Sequence, residues 1–324
     1  MKVIVLKFGK LDLQLNSFTP FMPFWTGHTQ TILGHIIRSP MLSVELENEI
    51  LTLPDGDQLF LEFIRGTKPY TLSIYHGLGG DSQSDYMQRS ALIAQELGWN
   101  VVLVNHRAAS SLAEATKSYH SGRGEDAEAV IQWCRQKFKD TKQIALGFSM
   151  SGSILLNLLT ERYGHHQPDF AVVVNAPLDL GQASWQLSQG FCKIYDYRFY
   201  LILKKIIQER EDIKLPFLGH TMDIDKAYTA PINLFSDRDD YYQKCSTKNY
   251  IQNIKTKTFV LTAKDDPFVN FRNYEEGQWS DSVHLTLNDH GGHMGYYSKE
   301  VDPKYGRRWL DHYLGSVLQK IQII

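Results

Sequence analysis

The chain has 324 residues, 43% of them hydrophobic and 22% charged, an ordinary balance for a folded globular protein. A formal net charge of −2 with both signs dispersed supplies no basic face for nucleic acid or an anionic membrane. Cys134, Cys192 and Cys245 are too few and too far apart for a disulfide framework or zinc spacing, and they read as reduced thiols in a cytoplasmic protein.

Taken in order, residues 1–42 are the least regular part. The first 18 residues lack a continuous apolar core with a small-residue cleavage site, so no signal peptide is expected. Prolines interrupt the aromatic stretch from Thr19 to Leu33 and exclude a central strand. This stretch is expected to be a hydrophobic strap over the core, with a helix from about His28 to Arg38; the alternative is a wall of a binding site. Val44–Leu53 and Leu59–Ile64 form a predicted hairpin around the turn Pro54-Asp55-Gly56-Asp57. Thr71–Tyr75 is a short apolar strand leading into His76-Gly77-Leu78-Gly79-Gly80, and Ser84–Leu97 reads as an amphipathic helix. The run Asn100–Asn105 fits a parallel strand buried on both faces. A loop, His106–Tyr119, leads to His120–Asp126, and a helix is predicted to run from there to about Phe138.

Gln143–Leu155, QIALGFSMSGSIL, is a strand, a sharp turn and a helix with Ser149 at the apex. This is the context of a nucleophile elbow, although Ser151 makes the motif G-x-S-x-S rather than G-x-S-x-G. His165-His166 is expected at a solvated helix end, and Phe170–Asn175 is another buried strand. From residue 177 to 250 the alternation gives way to a helical, aromatic-rich insertion, with a mixed, loop-rich part from Asp223 to Tyr242. The insertion is expected to form a cap above the elbow. Strands return at Lys257–Ala263 and Val283–Leu287, and a final helix is predicted from about Pro303 to Ile321. No repeat, low-complexity tract or linker appears, so residues 1–324 are expected to form one domain. No window is long and apolar enough to span a membrane. The twelve histidines include no H-E-x-x-H motif, and no metal or other cofactor is expected.

A serine hydroxyl needs a neighbouring base, itself oriented by a carboxylate. Both late strands end in candidates, and in the order Ser, Asp, His. Of Asp265 and Asp266, the second lies three residues beyond Ala263 and is preferred, leaving Asp265 as a turn or capping residue. Of His290 and His293, the second is preferred because the glycines before it let the loop reach back over the elbow. His290 is then a loop hydrogen-bonder and His284 a packed mid-strand histidine. Oxyanion donors are expected at the amides of Met150, next after the serine, and Leu78, in the glycine-rich turn. That turn has neither G-x-x-x-x-G-K-[ST] nor G-x-G-x-x-G spacing, which argues against a nucleotide site.

The segments Gly27-His28-Thr29-Gln30-Thr31, His76–Gly80, His120-Ser121-Gly122 and Gly147-Phe148-Ser149-Met150 resemble the YheT-like branch of the α/β-hydrolase fold, as do Tyr228–Pro231, Asp240-Tyr241-Tyr242, Asp265–Phe268 and His290–His293. The branch comprises bacterial relatives of the eukaryotic ABHD proteins, and the likeness spans nearly the whole chain. It implies a mostly parallel sheet with helices on both faces, a triad of Ser149, Asp266 and His293, and carboxylic-ester or acyl-lipid substrates. The chain departs from the family at Ser151 and at Asn105-His106-Arg107-Ala108-Ala109, where an aromatic and a glycine are expected around the arginine. The expected activity is that of a serine esterase. An acyltransferase with the same triad, or a non-catalytic protein binding a lipid or a partner, is the alternative.

Overall fold

The computed structural model describes residues 4–7, 13, 15–37, 42–209 and 213–324. Its strands are β1 (Ile4–Lys7), β2 (Glu47–Thr52), β3 (Gln58–Ile64), β4 (Tyr70–Tyr75), β5 (Asn100–Asn105), β6 (Lys142–Phe148), β7 (Phe170–Val174), β8 (Lys257–Ala263) and β9 (Val283–Asn288). They make one sheet in the order β1-β9-β8-β7-β6-β4-β5-β3-β2. Every pairing from β5 through β9 is parallel, while β2 on β3, β3 on β5 and β1 on β9 are antiparallel. Strands β5, β6 and β7 are buried almost throughout, as their unbroken apolar runs require once helices cover both faces.

The helices are α1 (Gly27–Ile36), α2 (Asp85–Glu96), α3 (Gly124–Lys137), α4 (Met150–Leu159), α5 (Leu180–Leu187), α6 (Lys193–Gln208), α7 (Thr221–Ile224), α8 (Ala230–Ile232), α9 (Arg238–Cys245), α10 (Arg272–Glu275) and α11 (Trp309–Ile323). On one face Met87 and Ala91 of α2 join Leu314 and Val317 of α11 against Ile74, Leu103 and Leu146. On the other, Val130 of α3 and Leu155 and Leu158 of α4 pack with Val102, Ala145 and Val173. The chain runs outward from β4 to β5 and then returns past β4 to β6. The carboxyl ends of β4 and β6 therefore meet at a switch point, with Tyr75 in register with Gly147. Crevices at such points are where open α/β sheets bind ligands.

Three expectations are corrected. Asp223–Tyr242 is not loop-rich: α7 continues through a π-helical turn (Asp225–Thr229) into α8, and Asp237 caps α9 by accepting from the Asp240 amide. Here the helical turns are short, and Ile224 and Tyr228 pack on Tyr200 of α6, a tertiary contact with no local pattern. The last helix begins at Trp309, not Pro303. A hairpin of β10 (Tyr297–Asp302) and β11 (Gly306–Arg308) occupies the preceding residues, and Asp302 Oδ1 accepts from the amides of Lys304 and Tyr305 to close its turn. The N-terminal segment, expected to be irregular, contributes β1, paired with β9 at the sheet's edge.

The predicted end of the first helix, Arg38, lies outside the described residues. The stretch around α1 does both things weighed for it. Phe18 is buried against Tyr296 and Trp309, and α1 also walls a cavity described below. Gln30, fully buried, fixes this stretch on β10: its Nε2 donates to the carbonyls of Phe24 and Tyr297, and its Oε1 accepts from the Tyr297 amide.

Candidate active site

Ser149 stands between the end of β6 and the first residue of α4 with φ +51° and ψ −121°, a conformation a non-glycine residue adopts only when its surroundings hold it. Its amide donates to the carbonyl of Val174 on the next strand. The turn is tight enough that a Cβ at Gly147 would lie 2.6 Å from the backbone oxygen of Ser151, so only glycine fits there.

His293 comes to Ser149 from the loop after β9, and its Nε2 lies 2.8 Å from Ser149 Oγ. The other ring nitrogen, Nδ1, lies 2.8 Å from Asp266 Oδ2. An ionised carboxylate only accepts, so Nδ1 carries the proton, and Nε2 is left bare to receive that of the serine. Asp266 sits after β8 with a fully buried side chain. Its Oδ1 accepts from the amides of Phe268 and Val269, and its Oδ2 accepts from Asn175 Nδ2 at 2.7 Å as well as from the imidazole. Four donors hold the carboxylate in place. Phe268 lays its ring 4.1 Å from the imidazole centroid and covers it.

Asp265, by contrast, bonds neither Ser149 nor His293. It accepts from the Gly292 amide and pairs with His290, which ties down the glycine loop. A Cβ at Gly292, where φ is +58°, would strike the carbonyl of Gly27 at 2.2 Å, so the loop's close approach to α1 requires glycine. His284 is buried within β9, and His166 lies exposed in a turn beyond α4, beside Glu128.

The loop after β4 is held by two tyrosines. The Gly77 amide donates to Tyr86 Oη and the Gly79 amide to Tyr119 Oη. The Leu78 amide between them has no acceptor among the described residues, nor does that of Met150, and both residues line the same cavity as Ser149. Beneath this loop lies Ser151. It is fully buried, and its hydroxyl donates to the carbonyl of His76 and lies 2.7 Å from His106 Nε2. Because the hydroxyl proton goes to the carbonyl, Nε2 of His106 must be the donor, and its Nδ1 is left buried without a partner. His76 in turn accepts from the His106 amide through Nε2. Burial depresses the pKa of both imidazoles, that of His76 to about 4 and that of His106 well below its ordinary value. The two departures from the family pattern thus touch each other.

Two residues of the site were not singled out from the sequence. Asn175, at φ +49°, ends β7 and bridges Asp266, the Gly292 carbonyl and Tyr296. Thr31 of α1 accepts from the His293 amide at 2.8 Å. The positive φ of a strand-end asparagine and the Gly-His-x-Gln-Thr motif were the available hints.

The parallel core, its switch point and the strand–turn–helix at Ser149 are those of an α/β-hydrolase. The esterase Pf2001 of Pyrococcus furiosus superposes with a TM-score of 0.60 at 16% identity, over 94% of this chain and 99% of that one, a likeness of fold. No family model matches the sequence. YheT of Escherichia coli (strain K12) is 30% identical over 297 residues, 86% of each chain, and Phospholipase ABHD3 of Homo sapiens is 25% identical over 307 residues, 87% of this chain and 74% of that one. The chain belongs to the YheT-like branch of the α/β-hydrolases, a family of esterases and related hydrolases.

Proposed function

We propose that the protein is a serine esterase that cleaves carboxylic esters through an acyl-enzyme, with Ser149 as nucleophile, His293 as base and acid, and Asp266 as the group orienting the imidazole. The single observation behind this reading is the unbroken hydrogen-bonded run from Asp266 through His293 to Ser149, ending beneath two amides with no acceptor. Ser149 Oγ attacks the ester carbonyl as its proton passes to His293 Nε2, and the amides of Leu78 and Met150 stabilise the oxyanion. The imidazolium then protonates the departing alcohol, and water repeats the sequence on the acyl-enzyme. The reaction requires no cofactor.

The segment 177–250 is read as a cap on one domain, because α5, α6 and α7 line a cavity that reaches Ser149. That cavity is largely apolar, which favours acyl-lipid esters, and a phospholipase among the relatives agrees with this. Three free, buried cysteines fit work in the reducing cytoplasm. No helix among the described residues is long and apolar enough to cross a membrane. Replacement of Ser149 by alanine should abolish both p-nitrophenyl ester hydrolysis and labelling by a fluorophosphonate, and undiminished labelling of that variant would sink the assignment.

A further inference from the structure

Ser149 lies where two cavities meet. One, of about 140 Å³, lies under α5, α6 and α7, with Ala183, Leu187, Leu203, Ile207, Ile224 and Tyr228 among its lining residues. The other, of about 350 Å³, lies between α1 and α6, with Ile32, Ile36, Ile194, Arg198, Ile202 and His293 among its lining residues. Leu78, Ser149, Phe199 and Phe268 border both. Helix α6 is the partition: Leu203, Ile206 and Ile207 face the first cavity, Ile194, Arg198 and Ile202 the second, and Phe199 the junction. It is seated directly on the glycine-rich loop, where a Cβ at Gly79 would lie 3.1 Å from the Ile202 side chain.

The two cavities differ in one respect that bears on chemistry. His293 lines the second and not the first. When the tetrahedral intermediate collapses, the bond from carbonyl carbon to alcohol oxygen breaks, and that oxygen must take the proton from His293 Nε2. The alcohol therefore has to leave on the side the imidazole faces. The carbonyl carbon, bonded to Ser149 Oγ with its oxyanion at Leu78 and Met150, then directs its remaining substituent to the other side.

We infer that the cavity under α5, α6 and α7 holds the acyl chain of the substrate and the cavity between α1 and α6 holds its alcohol, with α6 as the wall between them. This rests on the reading of Ser149 as nucleophile and His293 as proton carrier. The acyl side is the smaller of the two cavities and largely apolar, so it selects apolar chains up to a length limit. The alcohol side is larger and bordered by exposed residues of α1 and α6, among them Ile36, Ile194 and Arg198, and admits bulkier groups.

The test compares two specificity ratios in the full-length protein. One is kcat/KM for p-nitrophenyl octanoate over p-nitrophenyl acetate; the other is 1-naphthyl acetate over methyl acetate. Ala183→Phe should lower the first ratio by about tenfold or more and leave the second within about twofold, and Ile32→Trp should do the reverse. Leu203→Phe and Ile202→Phe form a second pair on α6 with the same expectations, should either of the first fail to fold. Exchanged effects, or any variant moving both ratios equally or neither, overturn the partition. Fluorophosphonate labelling run beside these assays separates the two failures. Labelling at Ser149 with exchanged ratios overturns the partition alone, whereas absence of labelling at Ser149 overturns the nucleophile reading and the partition with it.

Discussion

Ser151 occupies the position where the family elbow carries glycine, and the contacts of its hydroxyl set a measurable cost for restoring that glycine. Ser151→Gly deletes the donor to the His76 carbonyl and the acceptor for His106 Nε2, leaving two buried polar groups without partners. Each such group costs about 1–3 kcal/mol. Glycine inside the first turn of α4 adds roughly 0.5 kcal/mol of backbone entropy. The expected loss is roughly 2.5–6.5 kcal/mol, large against the ~5–15 kcal/mol that stabilises a typical domain, so the denaturation midpoint falls sharply. His106→Phe acts differently. It retains the stacking on Tyr119 (centroids 5.1 Å apart) and removes an Nδ1 that is already buried and unpartnered, while Ser151 keeps its bond to His76. Its cost should be about 1 kcal/mol or less.

The double variant decides between accounts. With His106→Phe present, Ser151→Gly orphans one group rather than two, so the double should be more stable than the sum of the singles by about 1–2 kcal/mol. Urea unfolding of the four proteins at pH 7.5, read as midpoint shifts at a common slope, measures this coupling directly. The His76 carbonyl anchors the segment that presents Leu78, so Ser151→Gly should also lower kcat by about tenfold with little change in KM. Additive stabilities, within about 0.5 kcal/mol, together with unchanged kcat would refute the idea that serine and histidine compensate for each other.

The two adjacent aspartates should separate cleanly by kinetics. Asp266→Asn leaves packing nearly unchanged but replaces an acceptor of His293 Nδ1–H by an amide that can present a donor, and kcat should fall on the order of 10³–10⁴-fold. Asp265→Asn loosens only the Gly292 turn and its His290 contact, so a fall of comparable size would refute the assignment. The buried histidines predict a pH dependence of stability. In the fold His76 is held at about 4, and His106 and His120 well below 6.5, all through burial first. Below pH 6.5 the unfolded chain takes up protons that the folded chain does not, so stability complete above 6.5 is lost as pH falls toward 4. His76 alone accounts for roughly 3 kcal/mol of this. Asp225, raised to about 6 by burial, acts with the opposite sign, losing stability as pH rises through that value. Burial raises Glu125, Asp265 and Asp311 likewise and lowers His28 and His35 likewise. The three deeply buried histidines, displaced well below 6.5, outweigh the carboxyls between pH 7 and pH 5, and a urea midpoint that did not fall over that range would contradict this.

How much of this was legible in the sequence depends on where each signal resides. That Ser149, Asp266 and His293 come together was legible because each follows a buried apolar strand whose end is marked by small residues or glycines. The parallel core was legible for the same reason: Asn100–Asn105 and Phe170–Val174 are apolar on both faces, and period and burial agree. The misses are long-range. Strand β1 exists because β9, some 280 positions later, offers it an open edge, and four residues alone carry too little pattern to show it. The hairpin before α11 hides because Asp302-Pro303 also reads as a helix start; what decides is Asp302 closing a turn toward Tyr305.

Ser151 is the instructive case, since its sequence signal was plain and pointed the wrong way. Read locally, a serine in place of glycine suggests strain in the elbow. The tight contact of the turn lies at Gly147, not at the side chain of residue 151. That side chain points under the loop after β4, where a histidine 45 positions earlier supplies the matching donor. His106 without Ser151 would leave its buried Nε2–H unpartnered; together the two residues leave only His106 Nδ1 of the pair unpartnered and join the two segments that present Leu78 and Met150. A pair of mismatches to a family pattern can therefore be a single tether between two segments of the site.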